Sequence, residues 1–127
     1  MAFFYLKNLE IVIACLNKVG GHHPLSKIAF CGDDFYNAKK AFSISRDALG
    51  GQAIHNAITG HQISLYKSFA KEGERLTLAK MAEIEIEAMV RAGIPKDIAT
   101  GWVIKALEDL KKQGVKYITN IPWNGTN

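Results

Sequence analysis

Gly73, Gly93 and Gly114 each stand just past a run in which apolar residues recur every three or four positions. Apolar periodicity of that step builds one face of an α-helix, and glycine after such a run supplies the left-handed stop. The first run predicts a helix over 52–71, with Ile54, Ile58, Leu65 and Phe69 on a broad apolar face. The second starts at Thr77, a suitable N-cap, and carries Met81, Ile84 and Ala88 up to Gly93. In the third, Pro95 takes the first helical position, where its missing N–H costs nothing. Ile98, Trp102, Ala106 and Leu110 form its expected stripe, with Trp102 and Leu107 mostly buried. Near the start, Leu6, Leu9, Ile13 and Leu16 predict a further helix over 4–18, stopped by Gly20-Gly21. The tail "VKYITNIPWNGTN" reads as extended or irregular, with Trp123 as a core plug.

Residues 22–46 break this pattern. "HHPLSKIAF" and "KAFSIS" are short apolar segments on either side of the polar turn "CGDDFYN", which predicts two short strands or extended arms. The expected class is α+β, mostly helical. A chain of 127 residues with no repeat and no linker fits one domain. Apolar content of 48% against 22% charge excludes disorder as the default, and no apolar run is long enough to span a bilayer. The opening lacks the basic start and cleavage site of a signal peptide, so folding in the cytosol is expected. Two cysteines, at 15 and 31, are too few for a disulfide scaffold, and no Cys-x-x-Cys pair suggests a zinc clip. Sixteen basic against twelve acidic side chains leave +4, a mild bias toward polyanions such as nucleic acid.

All four histidines fall between positions 22 and 61. Neighbours on an extended segment point to opposite sides, so His22 and His23 can aim one imidazole at a metal and the other at water or phosphate. The plainer reading is two solvent-facing histidines in a loop. His55 opens the helix over 52–71, and its face is shared by Thr59 and Gln62, four and seven positions on. Those two are candidates to orient His55, or else a polar stripe facing solvent. His61 is turned by about 240° from His55 and is expected at the surface. A strand-borne His-His pair with a helix-borne His is one solution to phosphodiester cleavage. Metal ligation and proton abstraction both suit neutral imidazole near pH 7.

The ordered set "GGHHPLSKIAF", "FYNAKKAFSIS", "IHNAITGHQISLY" and "NIPWN" resembles the C-terminal toxin domains of bacterial polymorphic toxins. These are nucleases of the HNH/endonuclease VII superfamily with a GHH-type signature, often carried on Rhs-repeat proteins. The resemblance runs from Gly21 to Asn124; the first nineteen residues have no counterpart. It implies a ββα-metal (His-Me finger) nuclease core with additional packing helices. The corresponding division is an N-terminal helix (1–20), the ββα-metal element (21–72), and a helical scaffold and tail (73–127). Carried onto this chain, the metal ligands become His22 and His55, and the general base becomes His23. The interval between His23 and His55 is longer than in the compact motif, which leaves Ser45 and Asn37 as alternative positions for the helix ligand. Lys27, Lys39, Lys40 and Arg46 are the cations expected on phosphates.

The implied activity is metal-dependent endonucleolytic cleavage, with DNA as the expected substrate, used as an antibacterial toxin. The implied cofactor is a divalent ion, Mg2+ first, with Zn2+, Mn2+ or Ni2+ as alternatives. A cognate immunity protein is the implied partner, and no membrane is. The chain would be made in the bacterial cytoplasm and then secreted or delivered to act in a target cell's cytoplasm. The rival expectations are an RNase with the same residues and a non-catalytic helical interaction module.

Overall fold

The structure is a computed structural model that describes residues 21–127. The helix expected over 4–18 lies outside the described residues. From Gly21 the chain runs through a short 3-10 turn (Lys27–Phe30) and a loop to α1 (Arg46–Leu49). Three long helices follow: α2 (Gln52–Ala70), α3 (Leu78–Arg91) and α4 (Lys96–Gln113). A minimal hairpin closes the chain, β1 (Asn120–Ile121) against β2 (Gly125–Thr126), antiparallel with Ile121 opposite Gly125. The described part is mostly helical with a small sheet, an α+β arrangement.

Helix ends fall close to the positions set by local chemistry. Thr77 caps α3 by accepting from the Lys80 N–H at 3.2 Å, and Gly114 stops α4 at φ 84°. Pro95 caps α4 one position before its first turn. α2 packs on α3 and α3 on α4. Ile58, Tyr66 and Phe69 of α2 meet Met81, Ile84, Ala88 and Met89 of α3 in the core. Each of the Ile, Phe and Met side chains among them contributes on the order of 1.5–3 kcal/mol.

The buried face of α4 is Ala99, Val103, Ala106 and Leu110. The expected stripe agrees at Ala106 and Leu110; Ile98 is exposed, and Trp102 and Leu107 are only half-buried against the core. The cause is helical drift. Three successive steps of four residues turn a stripe by about 120°, whereas steps of four, three and four return to within about 20° of the start.

The two strands expected in 22–46 reduce to one antiparallel residue pair. His22 and Ile44 exchange both backbone hydrogen bonds, at 2.7 and 2.8 Å. Pro24 has no N–H to extend this ladder, and the chain then winds into the 3-10 turn. The tail buttresses that turn: Thr119 donates its N–H to the Ala29 carbonyl at 2.8 Å and its hydroxyl to the Cys31 carbonyl at 2.6 Å. Trp123 is not a core plug. It occupies the turn closed by the Asn124 N–H on the Ile121 carbonyl, at φ 62°, with its ring exposed and 6.1 Å from that of Tyr66. The neighbouring Pro122 fills the core instead.

Candidate active site

Gly21 sets the entry to the site. Its φ is 76°, and a Cβ there would stand 2.6 Å from the Ile44 carbonyl oxygen. Only glycine combines that backbone conformation with so close a neighbour. The pairing of His22 with Ile44 follows directly from it.

His22 is buried, and its ring meets that of His55 edge to face with centroids 5.5 Å apart. The two side chains come from different elements, the Ile44-paired segment and the first turns of α2. His22 Nε2 and His55 Nδ1 are both buried and have no hydrogen-bond partner. Burial holds the His22 imidazole down at about 3, reinforced by the nearby His55 and His23. His55 is also lowered, first by desolvation and then by the Arg46 charge. Both rings are neutral at pH 7 and keep a lone pair for a Lewis acid.

His23 faces a different group. Its Nε2 lies 3.1 Å from the Ala38 carbonyl oxygen. A carbonyl can only accept, so Nε2 carries the proton and Nδ1 is left as the basic nitrogen. Desolvation lowers its pKa, the Ala38 bond raises it, and the Lys27 charge lowers it again. The sequence pair thus splits into a buried, ligand-like imidazole and a half-buried imidazole with an oriented basic nitrogen.

The other expected site residues sort by where their bonds go. Thr59 donates its hydroxyl to the His55 backbone carbonyl at 3.1 Å, a bond within α2. Gln62 is buried on the His55 face, yet its amide donates to Ser26 Oγ at 3.2 Å and to Glu85 Oε1 at 2.6 Å. Ser45 caps α1, accepting from the Ala48 N–H. The Asn37 side chain accepts from the Lys39 N–H, and its backbone N–H donates to Gln113 Oε1. The side chains of Ser45 and Asn37 are thus engaged in bonds of their own segments, while the ring of His55 meets that of His22. Lys27 lies close enough to His23 to act on its charge, and Arg46 close enough to His55. Arg46 donates to the Gln52 side chain. Lys39 and Lys40 are exposed in the loop whose Ala38 carbonyl holds His23. His61 is half-buried.

Glu85 is the residue that sequence reasoning misses. It is fully buried and accepts from the Ser26 N–H at 3.0 Å, Ser26 Oγ at 2.7 Å, Tyr66 Oη at 2.8 Å and Gln62 Nε2 at 2.6 Å. Burial pushes its carboxyl pKa up, and these donors pull it back. A signal for it exists: position 85 falls on the stripe of Met81 and Ala88, where a carboxylate requires partners.

Among the described residues no group of three or more His, Cys, Asp or Glu converges as a metal cage, and no helix is long and apolar enough to cross a membrane. The fold and site together define a mostly helical protein in which the rings of His22 and His55 meet beside a third, oriented histidine. No family model, curated protein or solved structure matches this chain.

Proposed function

We propose that this chain is a metal-dependent endonuclease with a ββα-metal type of site, most readily a DNase acting as an antibacterial toxin. One observation carries the reading: the unpartnered ring nitrogens of His22 and His55 belong to rings that meet beside a His23 oriented by the Ala38 carbonyl. Two neutral imidazoles are fitting ligands for a divalent transition ion such as Zn2+, Mn2+ or Ni2+. Mg2+ would depend on water and phosphate oxygens for most of its shell. When bound, the ion would neutralise charge developing on the scissile phosphate.

The chain's own residues supply the rest. His23 Nδ1 accepts the proton of the attacking water, while the Ala38 carbonyl holds the ring by its other nitrogen. Burial, and to a lesser extent the Lys27 charge, lower the His23 pKa and so favour the unprotonated base. Lys27 and Arg46, close enough to act on the charges of His23 and His55, and the exposed Lys39 and Lys40 of the loop whose Ala38 carbonyl holds His23, are cations suited to phosphate. These groups act on phosphate and not on the sugar, so RNA is chemically equivalent to DNA as substrate. A protein with this activity needs a cognate immunity protein in the cell that makes it, and release or delivery to reach a target cell.

The test is incubation of the purified protein with supercoiled plasmid and with total RNA, each with Mg2+, Mn2+, Ni2+ or Zn2+ and with chelator. Metal-dependent nicking or RNA cleavage that disappears in chelator is expected. Intact plasmid and RNA under every condition would leave the helical interaction module as the better reading.

A further inference from the structure

We infer that Glu85 is a positioning residue for the histidine site: its carboxylate fixes the segment carrying His22 and His23 to the helix carrying His55. This rests on the reading of those histidines as one site. His22 and His55 make no hydrogen bond to each other, so their separation must be set by the elements that carry them. Ser26 follows His22 by four residues and His23 by three. Gln62 lies two turns beyond His55 on the same face of α2, and Tyr66 one turn further. Glu85, on α3, binds all three: two bonds hold Ser26, one holds Gln62 and one holds Tyr66. Gln62 also donates to Ser26 Oγ, which closes the bridge. A Leu or Met at position 85 would fill the space without the cost of burying a carboxyl. What the carboxylate adds is direction, because the Ser26 bonds and the Gln62 and Tyr66 bonds meet on one group and together stop the Ser26 segment from sliding along α2.

Glu85→Gln is a nearly isosteric test. Each partner presents a donor to the carboxylate, so an amide must aim its own N–H at one of them. If the new amide nitrogen faces Ser26, it meets a backbone N–H that cannot reverse. If it faces Gln62, that side chain must turn over and release Ser26 Oγ. The readouts are the circular dichroism spectrum, the nuclear Overhauser effect between the His22 and His55 rings in metal-free protein, and Zn2+ affinity by titration.

The expected result is a helical Glu85→Gln protein in which the Overhauser effect between the two rings disappears. Its Zn2+ affinity should fall roughly 10–100-fold, the range for residues that orient metal ligands. Exchanging the pair, Glu85→Gln with Gln62→Glu, returns one carboxylate to the bridge and is expected to recover part of both. A folded Glu85→Gln protein whose rings still meet overturns the proposal. If Glu85→Gln does not fold, Gln62→Met combined with Tyr66→Phe cuts both links to α2 and leaves Ser26 on Glu85, and an undiminished Overhauser effect with wild-type Zn2+ affinity there overturns it equally. The ring pairing is read without metal or substrate. If it disappears in the variant while the wild-type protein binds no Zn2+, the positioning role is upheld and the metal reading is removed instead.

Discussion

The rings of His22 and His55 stand edge to face, 5.5 Å between centroids, with a buried unpartnered nitrogen on each. An aromatic pair of this geometry contributes about 0.5–1.5 kcal/mol. Each buried polar atom left unpaired costs about 1–3 kcal/mol. The ring pairing therefore does not offset its two orphaned nitrogens, and a ligand that engages both would reverse the balance. Local instability of this kind is common where function, and not folding, selects the residues.

It follows that His55→Phe should not destabilise the metal-free protein. The ring pairing is kept and an unpaired nitrogen is removed, so the melting temperature in chelator should be equal or higher. Saturating Zn2+ should raise the wild-type melting temperature, since ligand at about a hundred times Kd contributes about 2.7 kcal/mol. The Zn2+ shift should vanish in His55→Phe. A full Zn2+ shift in that variant would remove His55 from the site.

The His23→Ala variant should lose roughly two to four orders of magnitude in cleavage, the usual span for a general base. The side chain is half-buried and donates to one carbonyl, so melting should move little. Plasmid nicking measured at matched metal concentration checks this. A wild-type rate in His23→Ala would assign the base elsewhere.

The helices are legible in the sequence because their signals are local. Thr77, Gly93 and Gly114 fix ends within a few residues; periodicity identifies the face of α3, and that of α2 at Ile58 and Phe69, while Ile54 and Leu65 are only half-buried and the buried Tyr66 is not part of the expected stripe. The α4 face is misread because a stripe of uniform four-residue steps looks helical while drifting out of the core. Ile98 then reads as buried, and Val103 escapes notice. The site is legible in part. His22, His23 and His55 stand out as residue types, but the Ala38 carbonyl that selects the His23 tautomer is backbone, which no residue type announces. Periodicity places Gln62 on the correct face and still points to the wrong partner. Its true partner, Glu85, lies on another helix, and helical spacing says nothing about which faces meet across a core.

Gly21→Ala should disrupt the site more than its size suggests. The added Cβ would meet the Ile44 carbonyl at 2.6 Å, and φ of 76° is unfavourable for any residue with a Cβ. Strain of about 1–2 kcal/mol from the conformation alone is expected, and the clash adds to it. The affected bonds are the two between His22 and Ile44, so protection of those amides from hydrogen exchange should fall first. Unchanged exchange at His22 and Ile44 in Gly21→Ala would contradict this account of the glycine.

Acid should weaken the metal-free protein through His22. Its imidazole sits at about 3 in the folded chain against an ordinary 6.5. Between those values the unfolded chain binds the extra proton, so stability is full above pH 6.5 and is lost as pH falls toward 3. The slope from this one group approaches about 1.4 kcal/mol per pH unit within that window. Urea unfolding in chelator at several pH values should show it, and His22→Gln should flatten the profile. An equally steep acid loss in His22→Gln would place the responsible group elsewhere.

Trp102 tests whether α4 is scaffold or touches the substrate. It is half-buried and packs against the core from beside the Val103 and Ala106 face. Truncating a fully buried Trp costs about 3–5 kcal/mol, so Trp102→Ala should cost less, on the order of 1–3 kcal/mol. For a chain of this size that is a fall of several degrees in melting temperature. Ile98→Ala, at an exposed position one residue before the buried Ala99, should stay within about 0.5 kcal/mol. Cleavage by Trp102→Ala should fall only to the extent that the histidines are misplaced, and should recover at lower temperature where the scaffold is intact. A Trp102→Ala protein that melts like wild type yet does not cut would mean that α4 touches the substrate, and the scaffold role would pass from this helix.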